Sequence, residues 1–437
     1  AADRRAADPV RLPLHGLSSR QDLPLPFEFV LLGAALAIVL SFAVLAFAWR
    51  RPRYTQPRGY ALPRLTRVVD SRACRLILRL FLLGLYGWMA LALWFGQDRV
   101  TNPIFGFVFV WLWVGVVPLS LLLGPVWQRA NPLRTIAQLA PQRRGPIRPL
   151  TGAAWSHLGL LPGLVTIVAF AWLELVQPDN NTLPVLRWWA LAWATVVIGG
   201  AIWFGERWVA ATDPFEVVST RIATLSPWQR IDGVIHLTNP LRHAATADVM
   251  RGAAAVNCVL LGITAYDSFT NTTGWVGWVQ SSGLPGELWG TIGLLAMIGL
   301  VAGAFALASQ ATAPGWSDIA AASLVPIVVG YSTAHYLSLL VIEGQRTAIL
   351  ASDPLGLGWN VFGTAELGVN TGIFDYPDVV AVIQLAAIVT GHVLGVLIAH
   401  DLSLTVGQGR RMIVSQLPMV ALMVAYTCAG LVLLFSP

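Results

Sequence analysis

Charged residues are scarce in this sequence. Of its 437 residues, 11% are Asp, Glu, Lys or Arg, 56% are hydrophobic, and the mean hydropathy is +0.66. Soluble domains carry roughly 25% charged residues, so the composition excludes an ordinary soluble protein and indicates an integral membrane protein. Lysine is absent, and all 28 basic residues are arginine, which is typical of a bacterium with a GC-rich genome.

Cysteine pairs and short catalytic motifs are also missing. Cys74, Cys258 and Cys428 show no CxxC or Cys/His spacing, which excludes zinc ribbons and thiolate clusters. The sequence contains no P-loop, HExxH or GxSxG motif, so three common catalytic chemistries lack support. The pI near 9.6 does not indicate a nucleic-acid partner, because the arginines lie in the connections between hydrophobic segments.

Ten hydrophobic segments are long enough to cross a bilayer, which requires about 20 residues per helix. They are residues 27–49, 76–96, 104–126, 152–176, 184–204, 253–270, 288–308, 321–343, 379–402 and 412–435. The sequence therefore predicts an all-α, polytopic membrane helix bundle of about ten transmembrane helices. We expect residues 27–437 to form one transmembrane unit in the bacterial plasma (inner) membrane.

The arginines predict the orientation of this bundle. They cluster in the connections after spans 1, 3, 5 and 9, whereas the opposite connections hold only Arg99, Arg187 and Arg346. Basic residues mark the cytoplasmic side, so both termini are predicted to lie outside. The N-terminal tail, residues 1–26, is rich in arginine and has no apolar h-region. Its export is consistent with a signal peptide removed before Ala1.

Two connections are long enough to do more than join spans. The predicted cytoplasmic loop, 205–251, contains the alternating run RIDGVIHLT and is expected to form an interfacial helix and a short hairpin. The predicted outer loop, 344–378, is rich in apolar residues. We expect it to fold as a lid over the outer ends of spans 6, 8 and 9, and to bring Asp353 towards Asp267 and His335. The apolar side chains that the lid would bury are Ile349, Leu350, Leu355, Leu357, Trp359, Val361 and Phe362.

Three histidines lie inside predicted spans: His335, His392 and His400. Ionisable groups in a membrane are costly and rare, so each is a candidate functional residue. The set predicts a metal site (copper or zinc), a haem site or a proton relay, although a histidine can also serve as a packing hydrogen-bond partner between helices. Helix rise places His335 in the outer half and His392 in the inner half, about 10 Å apart in depth. A haem held by both is therefore allowed but not favoured.

Neighbouring residues offer partners for these rings. Tyr331 and Tyr336 flank His335, and Asp401 follows His400, so groups that control a histidine tautomer are at hand. His392 and His400 are eight residues apart on one side of a helix and can line one pathway, but they are too far apart to share one metal.

Acidic residues gather on the predicted outer face. Asp267, Glu343 and Asp353 are candidate cation ligands there, and the alternative is a solvated acidic surface. His15, in the N-terminal tail, is a further candidate ligand. Glu174 lies near the outer end of span 4, from which it can reach the interface.

The sequence shows little internal repetition. Ten spans would divide into a five-plus-five inverted repeat, as in many transporters, but the two halves show little correspondence. The tetrapeptide NPLR occurs at 131–134 and at 239–242. Asn-Pro favours turns, so both copies predict structure at the membrane surface.

Several stretches resemble a known family. HGLSSRQDLPLP, TDPFEV, TNPLR, AYDSF, AHYLSLLVIEGQ, SDPLGLGW and TGHVLGVLIAHD resemble a group of bacterial integral-membrane proteins that are often labelled fenitrothion hydrolase or uncharacterised membrane protein. The resemblance implies a polytopic fold and, as activity, hydrolysis of an organophosphate triester, for which a metal-activated water is the natural route. Asp267, His335 and Asp353 match the AYDSF, AHY and SDPLG stretches and would be the first catalytic candidates.

Three functions remain open from the sequence. The first is an integral-membrane subunit with a buried histidine site for metal, haem or protons, surrounded by lipid and assembled with other membrane subunits. The second is a membrane-embedded, metal-dependent hydrolase of the organophosphate type. The third is a proton-coupled secondary transporter with His392 as the protonatable site, which the weak repetition disfavours. Whether the protein is an enzyme is left open at this point.

Overall fold

The computed structural model describes residues 19–139, 147, 151–313, 315–407 and 409–435. Most of the tail 1–26, with its candidate ligand His15, lies outside these residues. The helices in the first half are α1 (Phe27–Ala48), α2 (Pro63–Val69), α3 (Arg72–Phe95), α4 (Pro103–Gly106), α5 (Val116–Leu123), α6 (Trp127–Ala130), α7 (Pro132–Leu139), α8 (Gly152–Leu158), α9 (Leu161–Leu175), α10 (Leu183–Ala194) and α11 (Gly200–Phe204). Those in the second half are α12 (Arg207–Thr212), α13 (Pro214–Ala223), α14 (Pro240–Ala245), α15 (Ala253–Thr270), α16 (Thr273–Ser281), α17 (Gly286–Thr312), α18 (Trp316–Leu350), α19 (Pro377–Val406), α20 (Arg410–Ser415) and α21 (Leu417–Phe435). Two π-helical segments, Phe107–Leu112 and Thr195–Gly199, and two 3-10 turns, Arg20–Asp22 and Gly372–Asp375, complete the helical structure that is described.

Within the described residues, nine helical segments are long and apolar enough to cross a membrane. The pair Pro103–Leu112 and Val116–Leu123, which is bent by 45° at the break between its helices, makes a tenth span if the two helices cross as one unit. These ten correspond one to one with the ten predicted spans, as expected for a multi-pass membrane protein. The helices carry large exposed apolar side chains, such as Phe47 and Phe81, as a lipid-facing surface requires. The side of the membrane on which the termini lie stays a prediction.

Helices α15 and α18 form the centre of the bundle, since most of each is buried. Helix α18 packs along α19 at very short range because glycines face each other across the contact. A Cβ atom on Gly391 would lie 2.5 Å from the Pro326 carbonyl oxygen, and one on Gly330 would clash with the carbonyl oxygen of Ala387. Small residues permit this close approach between membrane helices. The contact fixes the depth of every side chain on α18 relative to α19.

A small sheet covers the side of the molecule that carries the arginine-rich connections, hereafter the arginine-rich side. Strands β1 (Gly59–Ala61), β2 (Trp228–Ile231) and β3 (Val234–Thr238) form an antiparallel sheet in the order β1-β3-β2. The predicted hairpin is confirmed: its turn is Asp232-Gly233, and both residues have positive φ, 49° and 81°, as a tight hairpin turn requires. Strand β1 was not predicted, because three residues in a distant connection show no alternation of their own.

An internal repeat emerges when the element boundaries are compared. Helix α3 and the pair α8–α9 begin and end 80 residues apart, and each is capped by a hydroxyl side chain, Ser71 or Thr151. The following spans end at Gly124 and Gly205, which share an unusual conformation (φ 83°, ψ −160° and φ 99°, ψ 174°). Identical residues 81 positions apart include Asp98 and Asp179, Thr101 and Thr182, Pro103 and Pro184, Gly124 and Gly205, and Trp127 and Trp208. The repeat unit is therefore two spans followed by two short helices. Both units have the same orientation, unlike the two halves of a five-plus-five inverted repeat.

The outer loop differs from its prediction. Helix α18 continues to Leu350, and beyond it Leu357, Trp359, Val361 and Phe362 are 63%, 42%, 53% and 58% exposed. The prediction that a folded lid buries these side chains is therefore wrong. It treated water as the only alternative to burial in protein, whereas apolar side chains beside a bilayer can also contact lipid.

Candidate functional site

The best-defined polar cluster inside the bundle joins α15 to α18. The Nε2 atom of His335 lies 2.9 Å from Oδ2 of Asp267, and the Tyr336 hydroxyl donates to the same oxygen at 3.0 Å. Both partners are almost fully buried: the side chains of His335 and Asp267 are 2% and 6% exposed. A carboxylate only accepts hydrogen bonds, so Nε2 donates to Asp267 whenever the carboxyl group is ionised. The sequence predicted that the outer loop would bring Asp353 towards these two residues, but Asp267 and His335 meet through the packing of α15 against α18.

The second ring nitrogen of His335 faces a chain of hydroxyl groups. Nδ1 lies 3.1 Å from the Ser268 hydroxyl oxygen, which is also 3.1 Å from the Tyr331 hydroxyl and 3.2 Å from the Thr264 carbonyl oxygen. With a neutral ring, Ser268 donates to Nδ1. With a protonated ring, Nδ1 donates to Ser268, which turns its own hydrogen to Thr264. The site therefore satisfies both protonation states of His335 with the heavy atoms in place.

A second carboxyl group approaches this cluster from α9. Glu174 is close enough to Asp267 and Tyr336 to interact electrostatically with both. Its Oε2 atom is buried and has no hydrogen-bond partner among the residues that the structure describes. Glu174 was predicted to reach the interface, and its proximity to the His335 cluster was not predicted. The available signal was that span 4 contains no other acidic residue.

The predicted outer-face ligands do not assemble around His335. Both carboxylate oxygens of Asp353 accept from its own loop, from the N–H groups of Leu357 and Gly358 at 3.0 and 2.7 Å. The end of α18 lies 15 residues beyond His335, which is about 22 Å along the helix. Glu343 instead pairs with Arg346 at 3.0 Å. Of the three outer acids, Asp267 alone joins the histidine.

The three buried histidines lie at different depths. Helices α18 and α19 are antiparallel, and His392 follows Gly391, which contacts Pro326 nine residues before His335. The two rings are thus about 13 Å apart in depth, and His400 is about 12 Å further along. Ligands of one haem iron lie at similar depth, so a haem held by His335 and His392 does not fit. Across the described parts of the chain, no three His, Cys, Asp or Glu side chains are grouped so that they could hold a metal ion.

His400 and Asp401 form a clamp between α19 and the end of α1. The ring nitrogens of His400 lie 2.9 Å from Oε1 of Gln416 and 3.0 Å from the Trp49 carbonyl oxygen. Asp401 accepts from the Trp49 indole at 2.8 Å and from the backbone of Arg53 and Tyr54 at 2.7 and 3.0 Å. All these contacts connect neighbouring segments, so the pair stabilises the packing of α1.

His392 is buried but less engaged. Its Nδ1 atom lies 2.9 Å from the Ile388 carbonyl oxygen, and Nε2 has no hydrogen-bond partner among the described residues. Both His392 and His335 are 2% exposed, so both rings face the interior of the bundle. The expected pathway from His392 to His400 is not visible in their contacts, since neither ring bonds to a group that the other contacts.

A second buried acidic pair lies where the two repeat units meet. Asp213 caps α13 by accepting from the Glu216 N–H at 2.8 Å, and it accepts from the indoles of Trp127 and Trp193 at 3.0 Å each. Burial, and then the charge of Glu216, raise the pKa of Asp213 to about 7, although these three hydrogen bonds oppose the shift. Glu216 in turn accepts from Arg134. In the sequence, Asp213 and Glu216 lie in the stretch TDPFEV and were not predicted to be functional residues.

The NPLR tetrapeptides have the predicted structural role. Asn131 accepts from the N–H groups of Leu133 and Arg134 at 2.9 and 3.1 Å. Asn239 likewise accepts from Leu241 at 2.9 Å. Each copy is therefore an N-cap followed by proline in the first turn of a short helix, where proline is well tolerated.

A cavity of about 160 Å³ adjoins the buried site. It lies between the bent pair Pro103–Leu112 and Val116–Leu123, α13, α15 and α18, and Tyr336 forms part of its wall. The residues around it are Trp113, Val114, Val117, Pro118, Val218, Leu260, Thr264, Val328, Ser332, Thr333, Tyr336, Leu337 and Leu340. Its lining is mainly apolar, and the break at residues 113–115 forms one side.

The chain matches no protein-family model, no curated protein and no solved structure in comparisons with each. Any function assigned to it therefore has to come from the geometry of its own residues.

Proposed function

We propose that this protein is an integral-membrane proton-relay subunit, in which Asp267 and His335 exchange a proton within a larger membrane assembly. The single observation that carries the proposal is the hydrogen-bond arrangement around His335. Both ring nitrogens have partners in the neutral and in the protonated state, and only hydroxyl hydrogens rotate between the two states. A histidine that served only as a structural hydrogen-bond partner between helices would need one fixed set of partners.

Electrostatics supports the same pair. An ionised carboxylate inside a bilayer is costly unless a positive charge or several donors accompany it. A protonated His335 supplies that charge to Asp267 at 2.9 Å, and the Tyr336 hydroxyl supplies a second donor. Glu174, with an unpartnered buried oxygen near Asp267, is suited to receive or deliver the proton on the side towards the end of α9.

Nitrogen-15 NMR of histidine-labelled protein in lipid bilayers tests the proposal. We expect the ring nitrogens of His335 to titrate between the neutral and the doubly protonated pattern, and we expect Asp267→Asn to move the midpoint to lower pH. Asparagine cannot balance the charge of an imidazolium, which is the reason for the direction. His335→Gln identifies the signal, and His400→Gln is the matched control, because His400 is equally buried but belongs to a packing clamp. A His335 spectrum that does not change with pH in the unsubstituted protein would overturn the proposal, and so would a midpoint that Asp267→Asn does not lower.

Proton-coupled transport is the second candidate, and the cavity beside Tyr336 favours it. Broken membrane helices frequently line the substrate sites of transporters, and here a break adjoins both a cavity and the buried pair. Transport requires the cavity to open to each side of the membrane in turn, whereas a relay does not. Ser332→Cys, in a protein whose native cysteines are replaced by serine, should react with impermeant reagents from either side in a pH-dependent manner only if the protein is a transporter.

The hydrolase alternative has less support in the geometry. Ser268, His335 and Asp267 are connected in the order of a catalytic triad, but Ser268 lies within the continuous helix α15. The backbone N–H groups of a helix interior are bonded to the preceding turn. They are therefore not free to stabilise an oxyanion beside Ser268, as acyl or phosphoryl transfer requires.

A further inference from the structure

A cavity of about 440 Å³ on the arginine-rich side is lined by arginines from both repeat units. It opens between α3, the segment α6–α7, and α12. Five of its lining residues are arginines, and Glu206 is the one carboxylate among the described residues of the lining. The full lining is Val69, Cys74, Arg75, Leu78, Arg79, Gln128, Arg129, Arg134, Gln138, Glu206, Arg207 and Ala210. Its size falls in the range of about 300–1,000 Å³ that ligand sites occupy.

The positive charge in this cavity is only partly balanced. Arg134 is held by Glu206 and by the buried Glu216. Arg129 pairs with Asp70 at 3.2 Å, but Asp70 is shared with Arg230, which binds it more closely at 2.7 Å. Burial, and after it the neighbouring charge of Arg230, lower the pKa of the Arg129 guanidinium.

Two of the lining arginines are not held by an ion pair within the described structure. The side chains of Arg75 and Arg207 form no hydrogen bond or ion pair with any described residue, and both residues are exposed. Arg79 donates to the neutral amide of Gln138 at 2.6 Å. Membrane topology alone accounts for arginines on one side, but it does not account for their convergence on one cavity from three separate segments.

We propose that this cavity binds a phosphate group, carried either by an anionic lipid headgroup or by a soluble phosphate compound. Guanidinium groups form paired, charge-assisted hydrogen bonds to phosphate oxygens, and the side chains of Arg75 and Arg207 have such donors available in the cavity lining. Basic pockets between membrane helices bind lipid headgroups in this way. The lipid source is favoured by α3 itself, where Leu76, Ile77 and Leu80 beside the cavity are 57%, 67% and 60% exposed and can contact acyl chains.

Cys74 provides a direct readout, because it lines the cavity and is partly exposed. In a Cys428→Ser background, with Cys258 buried, the rate of Cys74 alkylation by uncharged N-ethylmaleimide is measured in nanodiscs. One arm compares phosphatidylcholine with a phosphatidylcholine–phosphatidylglycerol mixture. The other arm adds inorganic phosphate to phosphatidylcholine nanodiscs. We expect at least a threefold slower reaction with phosphatidylglycerol, and slowing by inorganic phosphate instead would identify a soluble ligand.

Variants separate the cavity from the general charge of the surface. The double variant Arg75→Gln/Arg207→Gln should abolish the protection of Cys74, and native mass spectrometry should find less phosphatidylglycerol retained. Arg64→Gln/Arg67→Gln removes the same charge from exposed positions of α2 outside the cavity and should leave the protection intact. If neither anion slows alkylation, or if both double variants lose the protection equally, the proposal is wrong. Thermal unfolding of all variants verifies that each remains folded.

Discussion

Replacing Gly391 with alanine tests the close contact that fixes the depth of α18 relative to α19. The new Cβ atom would lie 2.5 Å from the Pro326 carbonyl oxygen and close to Gly330. Backbone atoms cannot rotate away, so α18 and α19 would have to separate by about 1 Å to reach van der Waals contact. Overpacking of this kind costs about 1–3 kcal/mol, and the higher helix propensity of alanine returns up to about 1 kcal/mol. We therefore expect Gly391→Ala to destabilise the protein by about 1–2 kcal/mol.

The assay is thermal unfolding in detergent micelles, followed by tryptophan fluorescence, since Trp316 at the start of α18 is fully buried. The expected change is a decrease in Tm of a few degrees. Gly299→Ala is the matched control: it is also a glycine within a long apolar helix, α17, but its added Cβ would meet no atom within 4 Å. The control should keep or slightly raise Tm. If Gly391→Ala is as stable as Gly299→Ala, the close α18–α19 contact is refuted, and with it the depth offset between His335 and His392.

Two further predictions concern pH and orientation. The pKa of Asp213 is raised to about 7 from an ordinary 3.8. Between these two pH values the folded state binds a proton that the unfolded state has released. The stabilisation of the folded state by this proton is therefore complete at low pH and decreases as the pH rises to 7. Asp213→Asn should remove this slope, on the order of 2 kcal/mol between about pH 5.5 and 7, as measured by chemical unfolding at each pH; an unchanged slope would contradict the assignment. For orientation, Glu366→Cys should react with an impermeant maleimide on intact cells and Arg64→Cys only after permeabilisation, and the reverse pattern would invert the predicted topology.

Local sequence patterns were sufficient to predict the ten apolar spans and the β2–β3 hairpin, but not strand β1. The ten spans follow from the length of each apolar segment, which the bilayer thickness sets, and the Asp232-Gly233 hairpin and the capped Asn131 helix follow from turn chemistry. The repeat was also present in the sequence, as identities 81 residues apart, but it becomes clear only when Gly124 and Gly205 show the same backbone conformation.

The composition of the candidate site depended on contacts between distant segments. The sequence alone marked His335, His392 and His400 as equivalent, because each is an ionisable residue within an apolar helix. The tertiary structure distinguishes them: His335 contacts Asp267, Nε2 of His392 has no partner among the described residues, and His400 bonds to Gln416 in the clamp that holds α1. The physical reason is that a span is stabilised by its own hydropathy, whereas the partner of a buried side chain is set by how closely neighbouring helices pack, and in this protein glycines on α18 and α19 determine that distance.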